Sequence, residues 1–203
     1  MVVAKIIVIV GLPGVGKTTV LNKSVELLKE RQYIVKVVNF GDFMFKYLLN
    51  KGLIKTRDDI RKLPLSQQRT AQQEAAKEIR KVFEEEAAEV RKYVGFVDTH
   101  ALIKTPTGNW PGLPAHVIEE LRPDSIIVVE AKPEEIVSRQ LRDKTRYRAD
   151  YAKVNLIEEL LKLNRIFAIS SAVLVGASVN FIHNKEGKLE EAAKEIADIV
   201  ENI

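Results

Sequence analysis

A β-branched run, Ile6-Ile7-Val8-Ile9-Val10, leads into Gly11-Leu12-Pro13-Gly14-Val15-Gly16-Lys17-Thr18, and a segment placing Leu21, Val25 and Leu28 on one helical face follows at once. No other feature constrains the fold as much as this succession of strand, glycine loop and helix. The unbroken apolar run is what a strand buried on both faces of a parallel sheet requires. The octapeptide fits the P-loop pattern, whose glycines let backbone N–H groups curl inward around phosphate oxygens. Lys17 can reach the β and γ phosphates, Thr18 can offer its hydroxyl to Mg²⁺, and the start of the helix adds its dipole. A nucleoside triphosphate is the ligand this predicts. A glycine turn that merely joins strand to helix is the alternative, and the flanking elements weigh against it. A dinucleotide-binding reading of Gly14-x-Gly16-x-x-Thr19 fails because the third glycine is missing. The second strand also ends Val37-Val38-Asn39, without the acid that would bind a ribose.

At 203 residues, with no low-complexity linker or internal repeat, the sequence reads as a single domain, 1–203. Its net charge of +4 is mild and its basic residues are mostly interspersed with acids, which gives no indication of a nucleic-acid surface. There is no cysteine, so disulfides, thiolate zinc sites and cysteine nucleophiles are excluded. The N-terminal apolar run is too short for a signal peptide and already serves as the first strand. The stretch 166–177 is too short to cross a bilayer and contains Ser170 and Ser171. A soluble, cytoplasmic protein without membrane contact is expected.

Strand and helix patterns then alternate. Tyr33 to Asn39 predicts a second strand, and a helix from about Gly41 carries Phe43, Tyr47 and Leu48. A long helix from Ser66 to about Val90 has Ala71, Ala75, Ile79 and Phe83 on its core stripe. Val94 to Asp98 is a third strand, whereas 105–114 is too rich in proline and glycine for anything but a shaped loop. Ser125 to Glu130 is a fourth strand, followed by a helix from Pro133 to about Asp143. The helix Val154 to Val175 is apolar on most sides, which implies burial in the core or against another subunit. Val179 to Ile182 is a fifth strand, and 188–203 is a closing amphipathic helix. This alternation predicts an α/β fold with a parallel sheet covered on both faces.

Several residues could carry phosphate chemistry. Asp98 ends the third strand, as does the second magnesium-supporting acid of P-loop enzymes, although an aspartate there also caps turns. Asp42 is a competing acid near a helix start. Four arginines, Arg139, Arg142, Arg146 and Arg148, fall within ten residues. Guanidinium forks bind phosphate oxygens bidentately, so this segment outlines a phosphate clamp; a solvated helix end is the alternative. Arg57 and Arg61 are four apart and share a face if helical, which offers either a second phosphate site or an exposed surface. The three histidines, His100, His116 and His183, show no ligand spacing, although His100 could line the pocket. Asn184-Lys185-Glu186-Gly187 approaches a guanine-reading signature but has Gly187 where an acid is needed, and a turn explains it better.

An ordered set of motifs resembles archaeal adenylate kinases over nearly the whole chain. It comprises Gly11 to Thr19, Asn39-Phe40-Gly41-Asp42-Phe43-Met44, Arg57-Asp58-x-x-Arg61-Lys62-Leu63, Asp98-Thr99-His100, Thr105-Pro106-x-Gly108, Pro111-Gly112-Leu113-Pro114 and Arg142-Asp143-x-Thr145-Arg146-x-Arg148. The resemblance implies a three-layer P-loop kinase fold with a central five-stranded parallel sheet and a short lid. It also implies reversible transfer from ATP to AMP giving two ADP, with Mg²⁺, in a cytoplasmic homotrimer. By the same likeness, Gly11, Leu12, Pro13, Gly14, Val15, Gly16, Lys17, Thr18 and Thr19 bind ATP, and Gly41, Arg57 and Arg61 serve AMP. Thr18 and Asp98 support the metal, while Lys17, Arg142, Arg146 and Arg148 act in catalysis, with Arg165 joining the lid arginines. The AMP-binding region then spans about 40–90 and the lid about 142–153. Phe45 and Leu102 stand where broader members of the family place arginines, so those AMP contacts do not transfer to this sequence. Rival readings are another P-loop small-molecule kinase, or a nucleotide-dependent switch NTPase. Against the switch, Asp98-Thr99-His100-Ala101 lacks the Asp-x-x-Gly element.

Overall fold

The computed structural model describes residues 4–105, 108–142 and 153–203. Strand β1 (Lys5–Gly11) lies at the centre of a five-stranded sheet ordered β2-β3-β1-β6-β7, with β2 (Ile34–Asn39), β3 (Tyr93–Asp98), β6 (Ser125–Glu130) and β7 (Ser178–His183). All of its pairings are parallel. The helices are α1 (Lys17–Glu30), α2 (Phe40–Asn50), α3 (Leu65–Ala87), α4 (Ala115–Leu121), α5 (Pro133–Arg142), α6 (Val154–Val173) and α7 (Leu189–Asn202). The expected five-stranded α/β architecture with helices on both faces is the observed one.

Because successive strand residues point to opposite faces, the apolar run of β1 feeds two cores. Ile6, Val8 and Val10 pack with Ala76, Ile79 and Phe83 of α3, Val117 and Leu121 of α4, and Ala168 and Ala172 of α6. Ile7 and Ile9 pack on the other face with Leu21 and Leu28 of α1, Ile136 of α5, and Ile196 and Val200 of α7. Gly95 in β3 makes room for the first of these cores: a Cβ there would lie 2.5 Å from the Phe83 ring. Helix α6 contributes Ile157 and Leu160 to one core and Ala168 and Ala172 to the other, so it bridges the two faces at the end of the sheet.

The structure differs from the sequence expectations at four places. The stretch expected to be an irregular loop contains regular structure, because β4 (Leu102–Thr105) pairs antiparallel with β5 (Gly108–Pro111). Gly108 supplies φ 132° beside the turn, and Pro111 sits at the end of a two-stranded ribbon, where a missing N–H is tolerated. Helix α4 had no counterpart in the sequence reading, yet Val117, Ile118 and Leu121 give it a fully buried face after Pro114. The segment after Thr56 forms a 3-10 helix, Arg57–Lys62. At three residues per turn, positions three apart eclipse and positions four apart diverge, so Arg57 and Arg61 do not share a face. Helix α6 stops at Val173 instead of Val175, with Gly176 at φ 70° and the Ala177 N–H bonded back to Ala172 O at 3.1 Å.

Candidate active site

The glycine loop lies beyond the C-terminal end of β1, between β3 and β6, where the chain runs from β1 towards β2 on one side and from β6 towards β7 on the other. Ligands of open parallel sheets bind at such a point. Gly11 must be glycine, since a Cβ would lie 2.7 Å from Val129 O of the neighbouring strand. Gly14 and Gly16 take φ 96° and 83°, which L-residues with side chains rarely adopt. Val15 is buried and pins the loop to the core, while Thr18 and Thr19 are exposed on the first turn of α1. Gly16 occupies the N-cap of α1 without a side-chain cap, so the first amides of the helix are presented to a ligand.

Lys17 points to the same edge. Its ammonium donates to Thr99 O at 2.6 Å and forms an ion pair with Asp98, the last residue of β3. Strand pairing places Asp98 beside Ile9 of β1 and Asn39 of β2. Burial pushes the Lys17 pKa below that of an ordinary lysine, and the charge and hydrogen bond of Asp98 oppose the shift without cancelling it. Asp98 thus faces the lysine, whereas the alternative had it capping a turn. His100 follows on the exposed side, with Nδ1 3.3 Å from Gly11 O.

A second cluster lies at the end of β2. Arg57 forms an ion pair with Asp42 at 2.7 Å and donates to Asn39 Oδ1 at 2.8 Å. Gly41 allows this approach, since a Cβ on it would sit 2.5 Å from a terminal guanidinium nitrogen of Arg57. The 3-10 helix that carries Arg57 is closed by Asp59, which accepts hydrogen bonds from the N–H groups of Thr56 at 2.8 Å and Lys55 at 3.2 Å, and its pKa falls well below the usual range as a result. The structure therefore joins Gly41 with Arg57, and leaves Arg61 exposed on another side of the turn.

Of the four arginines expected to form a clamp, the structure describes two, Arg139 and Arg142. Arg142 is exposed and folds back on its own helix, donating to Ser138 Oγ at 2.9 Å. Arg146 and Arg148, and nearly all of the 142–153 lid segment, lie outside the described residues. Arg139 reaches the glycine loop itself, donating to Val15 O at 3.1 Å. Arg165 on α6 grips Glu130 with two guanidinium nitrogens, one of them 2.6 Å from Oε1. Glu130 is 2% exposed at the end of β6, so Arg165 is held at the same sheet edge as the loop.

A glycine nest followed by a partly desolvated lysine paired with a strand-end acid, and Arg57 at the end of β2, suit phosphoryl transfer between nucleotides, and sequence similarity decides the family. A family model described as an AAA domain matches residues 10–157. The adenylate kinase of Sulfurisphaera tokodaii is 46% identical over 95% of this chain and 97% of its own length. That of Methanocaldococcus jannaschii is 44% identical over 97% of this chain and 98% of its own. The chain belongs to the adenylate kinase family.

Among solved structures, shikimate kinase from Acinetobacter baumannii in complex with shikimate superimposes with a TM-score of 0.59 at 18% identity, covering 98% of this chain and 94% of that one. At that identity the likeness concerns the fold alone. Adenylate kinases are phosphotransferases, and for a member of this family the sequence reading of the glycine loop identified the motif but not its supports. Gln140, Asn184 and Glu130 were not singled out as site residues. Asn184 had been assigned to a turn, and no local pattern links it to a loop 169 positions away.

Proposed function

We propose that the chain moves the γ-phosphoryl group of ATP to AMP in a reversible in-line displacement that yields two ADP. The observation that carries this reading is Lys17, a partly desolvated cation directly after the glycine nest that is held by the strand-end Asp98. The loop Gly11 to Thr19 holds the triphosphate through its backbone N–H groups, which Pro13 lacks, and Lys17 follows charge as it develops on the transferring group. Arg57, with Gly41 beneath it and Arg61 nearby in sequence, takes the AMP phosphate. Arg142, Arg146 and Arg148 close over the reacting groups as a lid spanning about 142–153, and Arg165 supports them. The acceptor is already an anion at neutral pH, so alignment, charge neutralisation and exclusion of water are the tasks left to the protein.

Thr18 and Asp98 would hold Mg²⁺. A hydroxyl and a carboxylate fit it, because Mg²⁺ prefers hard oxygen donors and takes only one or two protein groups when it arrives with a nucleotide. When bound, the ion neutralises charge on the β and γ phosphates. Among the described residues, no group of three or more His, Cys, Asp or Glu is placed to hold a metal.

The working unit is a single cytoplasmic domain in a homotrimer, with the AMP-binding region at about 40–90. No helix of the described residues is long and apolar enough to cross a membrane. In support of assembly, Ile166, Ile169 and Val173 on α6, and Leu174 just after it, are 56%, 44%, 75% and 52% exposed. Purified protein supplied with MgATP and, in turn, AMP, GMP, CMP, UMP and dTMP tests the reaction. ADP formation should depend on AMP and run well ahead with it; equal rates with all five, or hydrolysis indifferent to AMP, would reject the assignment.

A further inference from the structure

Three consecutive carbonyls of the glycine loop are each held by a side chain from a distant part of the chain. Gln140 Nε2 donates to Pro13 O at 2.6 Å. Arg139 Nη1 donates to Val15 O at 3.1 Å and lies 3.5 Å from Gly14 O. Asn184 Nδ2 donates to Val15 O at 2.8 Å. In a planar trans peptide the C=O and the following N–H point in opposite directions. Tethering the carbonyls of Pro13 and Val15 outward therefore aims the amides of Gly14 and Gly16 the other way, into the nest, while the Val15 N–H closes the loop on Leu12 O at 3.3 Å.

The tethers are themselves built in. Gln140 and Asn184 are 8% and 7% exposed. Arg139 is fixed by Glu135 at 3.0 Å, and the Asn184 N–H is bonded to Glu130 O at 2.8 Å. Among the described residues Gln140 Oε1 is buried without a partner, so the bond to Pro13 O is what orients that amide. The loop also lies flush on α5: a Cβ at Gly14 would sit 3.0 Å from Gln140 Cγ and 3.3 Å from Ile136 Cγ2. An amide nest binds phosphate well only if its dipoles are aligned beforehand, since aligning them at the moment of binding would subtract from affinity.

We propose that Gln140 and Asn184, together with Arg139, are positioning residues that preorganise the glycine loop for a triphosphate; this rests on the reading of that loop as the ATP site. Gln140→Met keeps length and removes the donor. Asn184→Asp keeps shape and sets an oxygen against Val15 O. Calorimetric titration of each with MgATP alone, and separately with AMP alone, measures the effect below the melting temperature. The dissociation constant for MgATP should rise about tenfold in each, as expected for one lost buried hydrogen bond, while that for AMP stays within twofold. Wild-type MgATP affinity in both variants would overturn the proposal, as would parallel losses of ATP and AMP binding, which mark a merely structural role. Assaying wild-type turnover with AMP separates the questions, because MgATP binding without AMP conversion would reject the proposed reaction and leave the tethers open to test.

Discussion

Lys17 at the start of α1 and Asp98 at the end of β3 are 81 positions apart in sequence and form an ion pair at the C-terminal edge of the sheet. Their side chains are only 11% and 17% exposed. The lysine is thus held where polyphosphate oxygens would compete with the carboxylate for it, and the competition is between two anions at one ammonium.

Lys17→Met removes that ammonium with little change in volume. Because its contact strengthens as charge develops on the transferring group, kcat should fall about 10²- to 10³-fold, with a smaller effect on AMP affinity. ADP formation at saturating ATP and AMP measures it, and turnover within tenfold of wild type would remove Lys17 from the assigned role.

The same substitution has a consequence for stability. Since burial lowers the native pKa of Lys17, the unfolded chain binds its proton more tightly than the folded one. Below the native pKa the full cost of charging a buried ammonium opposes folding. That cost fades as pH climbs from the lowered native value towards about 10.4, the value for free lysine. The unfolding free energy of wild type relative to Lys17→Met should therefore rise with pH across that alkaline window. Urea unfolding of both proteins at stepped pH reads the difference; a falling difference would contradict the burial argument.

What could be read from sequence was whatever is decided locally. The strand Ser125–Glu130 has the expected limits because Ile-Ile-Val-Val stands between polar ends, and the glycine loop is legible because its chemistry lies in consecutive residues. The ribbon β4–β5 escaped notice because four-residue strands bracketed by proline and glycine carry no periodic signal. Whether Arg57 and Arg61 share a face was not legible, because sequence spacing does not distinguish a 3-10 turn from an α-helix. Gln140 and Asn184 could not be found at all, since their partners are backbone carbonyls whose direction exists only once α5 and β7 have packed against the loop.

Asp98 carries two assignments, partner to Lys17 and metal support, and Asp98→Asn distinguishes them. If the carboxylate helps to hold Mg²⁺, half-maximal activity should require severalfold more Mg²⁺ at fixed ATP. A Mg²⁺ titration that is unchanged, with kcat alone reduced, would restrict Asp98 to fixing the lysine.

At the proposed AMP site, Arg57 and Asp42 are 57% and 63% exposed, and exposed ion pairs contribute about 0–1 kcal/mol. Arg57 can therefore be drawn from Asp42 to a phosphate at little cost. Arg57→Ala should raise the KM for AMP by about tenfold or more and leave that for ATP nearly unchanged, as befits loss of a charge-assisted contact. Asp42→Asn should lower the KM for AMP, by less than about fivefold, because only a weak competitor is removed. A raised KM for AMP in Asp42→Asn would show that the aspartate serves to orient the arginine.

Helix α6 gives the test of assembly. Ile166, Ile169 and Val173 recur at helical spacing along its outer face, and a groove of about 320 Å³ runs beside it between Leu113, Pro114, Phe167 and Leu174. A carboxylate at position 173 would be harmless to an isolated protomer, since the site is 75% exposed and surface changes alter stability by only about 0.5 kcal/mol. In a subunit contact the same carboxylate would be buried without a partner, at a cost of several kcal/mol. Val173→Asp should therefore sediment as a monomer at concentrations where wild type is a trimer. Its melting temperature should lose the dependence on protein concentration that assembly confers. A variant that still sediments as a trimer would move the interface away from α6, and a wild type that sediments as a monomer would reject the homotrimer.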